Sequence, residues 1–425
     1  MTQVSKDLNA DEGLHVDVAV VGGGAAGVAA AVGAAQSGAS VCLIEQYGFL
    51  GGAATVSSVL THCGFFDQTR EQVVAGVGQQ FLDALQKRDI YRTETFQASG
   101  NTVVLLDLET TKTVFDELVA EAGITLLLHS HLVGAATRDG RLDAVDVSHR
   151  GGRVRVHARA FVDASGDGAL IAASDAEALV SAVDERQAST LVMRVGGVPP
   201  EADLSAGGMA EAVRRYESLT GTALTRDHGI AVRMPISGEV MLLLADQHRD
   251  VFDVQDLSAA EVEGRRLAWH YLEAFRLFLP GWEASVLAAT GPQLGIREGR
   301  RLKGRETVAA EDVAAGRKRG AEGIARCGWP MEDHAVPGVT EYNGIRDKGW
   351  YHIPYGSICS ASLENLWAAG RLVSADRRAF ASLRVMGTAF ATGHAAGVAA
   401  AVYANSGRHD LPAVRDLLSQ QGALI

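Results

Sequence analysis

The chain has 425 residues, 47% hydrophobic and 21% charged, with a formal net charge of −12. That length exceeds one typical core and predicts two domains. The acidic balance argues against nucleic acid as a partner, since phosphate backbones are bound by excess Lys and Arg; no apolar run reaches membrane-spanning length, and no membrane partner is expected.

Residues 1–14 are polar and read as a frayed tail without the apolar core of a signal peptide. An apolar strand over 16–21 then enters Gly22-Gly-Gly24-Ala-Ala26-Gly27. A small-residue helix over 25–37 ends at Gly38, and a second apolar strand, 41–45, ends on Glu45. Gly22 permits the tight turn, Gly24 lets a pyrophosphate approach the backbone, and Gly27 lets helix and strand pack closely. Ala26 lies in the first helical turn, whose free N–H groups and dipole favour phosphate. Glu45 follows about 20 residues later, where a carboxylate binds ribose hydroxyls. Strand, glycine triplet, helix, strand and acid in register predict a dinucleotide ligand with an ADP half.

Residues 65–110 carry helical patterning over 77–87 and a strand over 103–106. A helix over 110–122 precedes a strand over 124–128. Three strands, 132–137, 142–148 and 153–157, then form a predicted meander. Asp139-Gly140 and Gly151-Gly152 stand where hairpin turns need positive φ. A strand over 160–164 returns to the main sheet. From about 176 to 345 the pattern predicts a second domain, with long strands over 188–196 and 230–244 and a helix over 259–278. The chain returns to the first domain from about 350. The four cysteines are scattered with no Cys-x-x-Cys pair, so no metal site and no redox dithiol are expected, and reduced thiols in a cytoplasmic protein are.

Four blocks follow one another in a meaningful order. Gln46-Tyr-Gly-Phe-Leu-Gly51-Gly52-Ala53 comes directly after the acid. Phe161-Val-Asp-Ala164-Ser-Gly166-Asp167-Gly168 comes next. Near the end stand Asn365-Leu-Trp-Ala-Ala-Gly370-Arg371-Leu-Val-Ser374 and Ser382-Leu-Arg-Val-Met386-Gly387-Thr388, the latter running on to Gly397. Over most of residues 15–402 the chain resembles the FAD-dependent oxidoreductase family related to the fumarate reductase and succinate dehydrogenase flavoproteins. Arg297-Glu-Gly-Arg-Arg301 and Ile353-Pro-Tyr355 belong to the same likeness. The resemblance implies FAD as cofactor and an α/β fold. An FAD-binding Rossmann-like domain of glutathione-reductase type, with a β-meander, is expected over 15–64, 110–175 and 346–402. A second, α+β substrate or cap domain is expected over 65–109 and 176–345. Cofactor contacts are implied at Gly22, Gly24, Ala26, Gly27, Glu45, Gln46, Gly51, Gly52 and Ala53, and near adenine at Leu132. Ala164, Gly166, Asp167, Gly370, Arg371, Met386, Gly387 and Thr388 complete the implied set.

Candidate catalytic residues are Arg297, His352, Tyr355 and His62. Arg297, with Arg300 and Arg301, reads either as a cationic wall for a carboxylate or the flavin, or as a structural ion-pair cluster. His352 reads as a general base or as a hydrogen-bonded strand histidine. Tyr355 reads as a donor to a substrate carbonyl or as a packing residue. His62, ten residues past the glycine loop, is expected near the flavin's reactive edge, and a His or Cys there offers a covalent tether as an alternative. Only one ADP fingerprint is present, so no dedicated NAD(P)H domain is expected. Asp167-Gly168 is followed by Ala169-Leu-Ile-Ala without the Arg of flavin hydroxylases, and Ala369-Gly-Arg371 replaces their Gly-Asp-Ala. The expected function is two-electron oxidation or reduction of a small organic substrate by hydride transfer through flavin N5. A monooxygenase and a non-catalytic flavin-binding protein are the alternatives, and a homodimer is left open.

Overall fold

The computed structural model describes residues 13–96, 99–336 and 338–425. The predicted tail, 1–14, lies outside them except for its last two residues. The first strand, Leu14–Val21, is the centre of a seven-stranded sheet. It pairs in parallel with Val41–Ile44 on one side and with the far half of Gly152–Asp163 on the other. Thr125–Leu127 extends the sheet beyond Val41–Ile44, and Leu366–Ala368 pairs in parallel with Gly152–Asp163 at its end. This is a mixed α/β fold whose parallel strands carry a Rossmann-like nucleotide-binding unit.

The strand Gly152–Asp163 has two jobs. Its first half pairs antiparallel with Arg141–His149, which pairs with His131–Arg138. Its second half joins the parallel sheet. Two strands expected over 153–157 and 160–164 are therefore one. The turn residues Asp139 and Gly140 have φ of 51° and 73°, and Gly152 has 131°. A second difference lies at 230–244. Instead of one strand there are two, Ile230–Arg233 and Val240–Gln247, paired antiparallel. Pro235 cannot donate to a ladder, and Gly238 at φ 71° turns the chain back.

These two strands join Ser189–Gly196 and Val286–Thr290 in a four-stranded antiparallel sheet. The helices Ala206–Thr220 and Val254–Phe278 cover it, started by Ser205 and Asp253 caps. Their core runs only from Leu191 to Leu294. Residues of 65–109 and of 308–345 bury their apolar side chains in the first core instead, beside the Ala25–Gln36 and Met386–Ser406 helices. No single helix among the described residues is long and apolar enough to cross a membrane. All four cysteines are free thiols, and no group of three or more potential metal-ligating side chains occurs among the described residues.

Candidate functional site

Packing around the first strand fixes two of the glycines. Gly22 stands at φ 99°, and a side chain there would run into the Ala164 carbonyl. A Cβ on Gly27 would overlap the Gly22 carbonyl. Gly24 is different. A Cβ on it would meet only Gly52, with Cα at 3.5 Å and N at 3.9 Å. The Gly51 N–H donates to the Gly23 carbonyl at 2.9 Å, which brings the second glycine loop beside the first. The Ala25–Gln36 helix begins on Gly24 without any side-chain cap. Its first-turn N–H groups are thus available to an anion lying on a side-chain-free floor.

Glu45 closes the rear of this turn. Its Oε2 accepts the Gly23 N–H at 2.6 Å and its Oε1 the Tyr47 N–H at 2.9 Å. Burial pushes its carboxyl pKa up, and those backbone donors oppose the shift. Gln46 and Ala53 are exposed on either side of the loop. Leu132 is half-buried just beyond Ser130, whose N–H donates to the Glu45 carbonyl at 3.0 Å.

The late blocks converge on the same strand ends. The Ala164 N–H donates to the Val21 carbonyl at 2.8 Å, and Gly166 follows at φ 82°. Arg371 donates to the Asp167 carboxylate at 3.1 Å and to the Ile296 carbonyl at 2.6 Å. Gly370 stands at φ 65°, its N–H donating to Thr392 Oγ1. The Met386–Ser406 helix also starts without a side-chain cap. Gly387 lies against the backbone of 63–65, where any Cβ would collide. The Thr388 hydroxyl is committed to Cys327 Sγ at 3.3 Å, so only its backbone is free for a ligand.

A family model described as FAD dependent oxidoreductase matches residues 17–420. The chain belongs to that family. It is an FAD-dependent oxidoreductase, and the uncapped helix start over the Gly24 floor fits the cofactor's pyrophosphate. Among solved structures, the p-nitrophenol 4-monooxygenase PnpA from Pseudomonas putida DLL-E4 is similar at 10% identity and a TM-score of 0.51, over 96% of this chain and 85% of that one. A geranylgeranyl bacteriochlorophyll reductase-like protein from Thermoplasma acidophilum is similar at 14% identity and 0.49, over 96% and 83%. The flavin-dependent brominase Bmp2, as a triple mutant, is similar at 13% and 0.49, over 96% and 86%. At such identities the likeness is one of fold. None of the three is a fumarate reductase or succinate dehydrogenase flavoprotein, so that finer kinship rests on the sequence motifs alone.

Beside the glycine loop the flavoprotein buries an ionic cluster. Ser57 follows the loop, and its backbone meets Gly291, while Gly295 exchanges hydrogen bonds with Thr190. Arg297 donates to the Ala188 carbonyl and to Thr190 Oγ1, both at 2.5 Å, and stands 3.6 Å from Asp246. Asp246 also pairs with Arg226 and accepts from Thr190. Arg226 approaches His334 Nδ1 at 3.4 Å, and His334 Nε2 stands 3.3 Å from Glu332. Glu332 accepts from Trp329 at 2.9 Å and Tyr342 at 3.0 Å. Arg384, two residues before Met386, donates to the Glu332 carbonyl at 3.0 Å. The cluster thus reaches from the end of the glycine loop to the start of the last long helix. Burial lowers the Arg297 pKa to about 10, against the pull of Asp246.

The other catalytic candidates stand elsewhere. His62 is fully buried among Phe65, Phe81 and Phe390, with neither ring nitrogen partnered. Burial drives its pKa down to about 3. On a strand alternate residues face opposite ways, and His62 takes the core side. His352 accepts the Arg319 N–H at 2.8 Å and packs on Trp350, and burial with Arg326 and Lys318 nearby lowers its pKa to about 4. It is a hydrogen-bonded strand histidine. The Tyr355 hydroxyl meets His409 Nδ1 at 2.9 Å, in a group with Trp367 and Tyr403, and is a packing residue. Arg300 donates to the Asp167 carbonyl and stacks on Phe252, and Arg301 forms a buried pair with Glu298. Of the arginine block only Arg297 enters the cluster.

Sequence reasoning passed over Arg226, Asp246, His248, Glu332, His334 and Arg384. Two signals were present. Asp246 ends the apolar run of the strand Val240–Gln247, whose residues are mostly buried, and a carboxylate on a buried strand must be paired. Arg384 lies inside the Ser382–Gly397 block.

Proposed function

We propose that this flavoprotein carries out a two-electron oxidation or reduction of a small organic substrate bound at the ionic cluster. The observation that carries the reading is the cluster's position, between the Gly51–Ser57 segment and the uncapped start of the Met386–Ser406 helix. Gly22, Gly24, Gly27 and the helix start would hold the pyrophosphate, Glu45 the ribose, and Gly370, Arg371 and the Met386–Thr388 backbone the flavin half. When bound, FAD supplies the two-electron redox chemistry.

The chain's own residues supply orientation, charge and a proton site. Arg297 is fixed by Ala188, Thr190 and Asp246, so its charge is preorganised and costs no rearrangement during reaction. His248 is half-buried beside Asp246 and Arg297, and its buried Nε2 has no partner. Burial lowers its pKa, which leaves a neutral imidazole able to accept a proton from substrate. His248 therefore takes the general-base role that the sequence suggested for His352.

The test has two stages. Denatured protein should release FAD rather than FMN on chromatography. A metabolite screen under anaerobic conditions should then find compounds that abolish the flavin's visible absorbance without a nicotinamide. For such a compound Arg297→Ala should slow single-turnover reduction by about 10²–10³, and His248→Gln should slow it with FAD still bound. Reduction only by NAD(P)H, followed by oxygen insertion, would replace this reading with a monooxygenase.

A further inference from the structure

The charges of the ionic cluster do not balance. Three guanidiniums, of Arg226, Arg297 and Arg384, face two carboxylates, of Asp246 and Glu332. Burial works against ionisation of both acids, but Arg297 and Arg226 hold Asp246 below its ordinary range. The His334 contact and Arg384 do the same for Glu332. His334 does not add to either side, since burial and Arg297 lower its pKa to about 4 and leave it neutral. One positive charge is left over. The three arginine side chains are only 9%, 12% and 11% exposed. A charge so placed is costly unless paired.

Arg384 is the least closely paired of the three. Among the described residues its nearest carboxylate oxygen, on Glu332, is 3.9 Å away, and its buried Nε has no partner. A guanidinium presents donors in a planar fork that matches a carboxylate. Tyr342 borders the cluster, half-exposed, with its hydroxyl donating to Glu332. The same hairpin, Met331–Asp333 with Glu341–Asn343, carries Val336 and Val339, both about half exposed.

We infer that the site takes a monocarboxylate with an apolar body, its carboxylate seated on Arg384 and its body against Tyr342, Val336 and Val339. This rests on the reading of the cluster as the substrate site.

Holoprotein titrated with benzoate, benzamide and phthalate tests it, with binding read from the flavin's visible difference spectrum and from thermal shift. Benzoate should bind at least about tenfold tighter than neutral benzamide, because only it fills the unpaired charge. It should also bind tighter than dianionic phthalate. Arg384→Gln should cost benzoate at least about tenfold and leave benzamide unchanged. Glu332→Gln raises the surplus to two charges and should move the preference towards phthalate. That switch carries the test alone if Arg384→Gln does not accumulate folded. Equal affinity for benzoate and benzamide, with both sensitive to Arg384→Gln, would keep the substrate site and overturn the carboxylate class. A benzoate preference indifferent to both variants would overturn the placement of the substrate site as well.

Discussion

At single residues, the glycines divide into those whose added Cβ the fold cannot hold and Gly24, whose added Cβ it can. Gly27→Ala should fail to fold, since its Cβ overlaps the Gly22 carbonyl. Gly24→Val has room, with Gly52 Cα at 3.5 Å, and should fold but lose FAD, because the side chain takes the pyrophosphate's place. Flavin absorbance per protein, beside circular dichroism melting, separates the two; full FAD occupancy in Gly24→Val would end the assignment. Glu45→Ala should lose both FAD affinity and stability, because the Gly23 and Tyr47 N–H groups lose their acceptor, at about 1–3 kcal/mol for each left unsatisfied. The turn geometry at these positions was legible in the sequence because backbone demands are local. The ionic cluster was not. Its members stand at 226, 246, 297, 332 and 384, and only the folded chain brings them together. His62 misled for a related reason: distance from the glycine loop says nothing about which face of a three-residue strand a side chain takes.

At the level of elements, the two helices that frame the proposed cofactor site are apolar all round, the mark of a helix buried on every side. Their meeting is made by small residues. A Cβ on Gly393 would overlap the Ala26 carbonyl, and one on Gly397 the Ala30 carbonyl. Backbone atoms cannot move aside as a flexible side chain can. Gly397→Ala should therefore destabilise by about 1–3 kcal/mol, the usual cost of overpacking. It should also weaken FAD, since the same helix presents Met386 and Gly387. An unchanged melting temperature would contradict so close a crossing. The sequence showed these helices plainly through their flanking strands and glycines. It showed less where one strand serves two sheets, as Gly152–Asp163 does, or where Pro235 and Gly238 fold one apolar run into a hairpin. Apolar content is the same in both cases, and only the partners differ.

Across the whole molecule, several histidines are folded in a neutral state. Burial lowers the pKa to about 3 at His62 and to about 4 at His334, His352 and His394, from an ordinary 6.5. The unfolded chain binds these protons below pH 6.5, and the folded chain does not. Their contribution to stability is thus fully present above pH 6.5 and is lost as pH falls towards 4, with His62 continuing to about 3. Glu332 and Asp246, held below their ordinary range, add a further loss at more acidic pH. His62 gives the cleanest check, because it touches only apolar rings and has no partner to lose. His62→Leu should match the parent or exceed it in stability at pH 7. Below pH 6.5 its advantage should grow by roughly 1.4 kcal/mol per pH unit, one proton's worth. Urea unfolding of both proteins at pH 7, 6, 5 and 4 reads this directly. Parallel pH profiles would mean that His62 charges in the folded protein without penalty, and that the aromatic pocket around it opens to water.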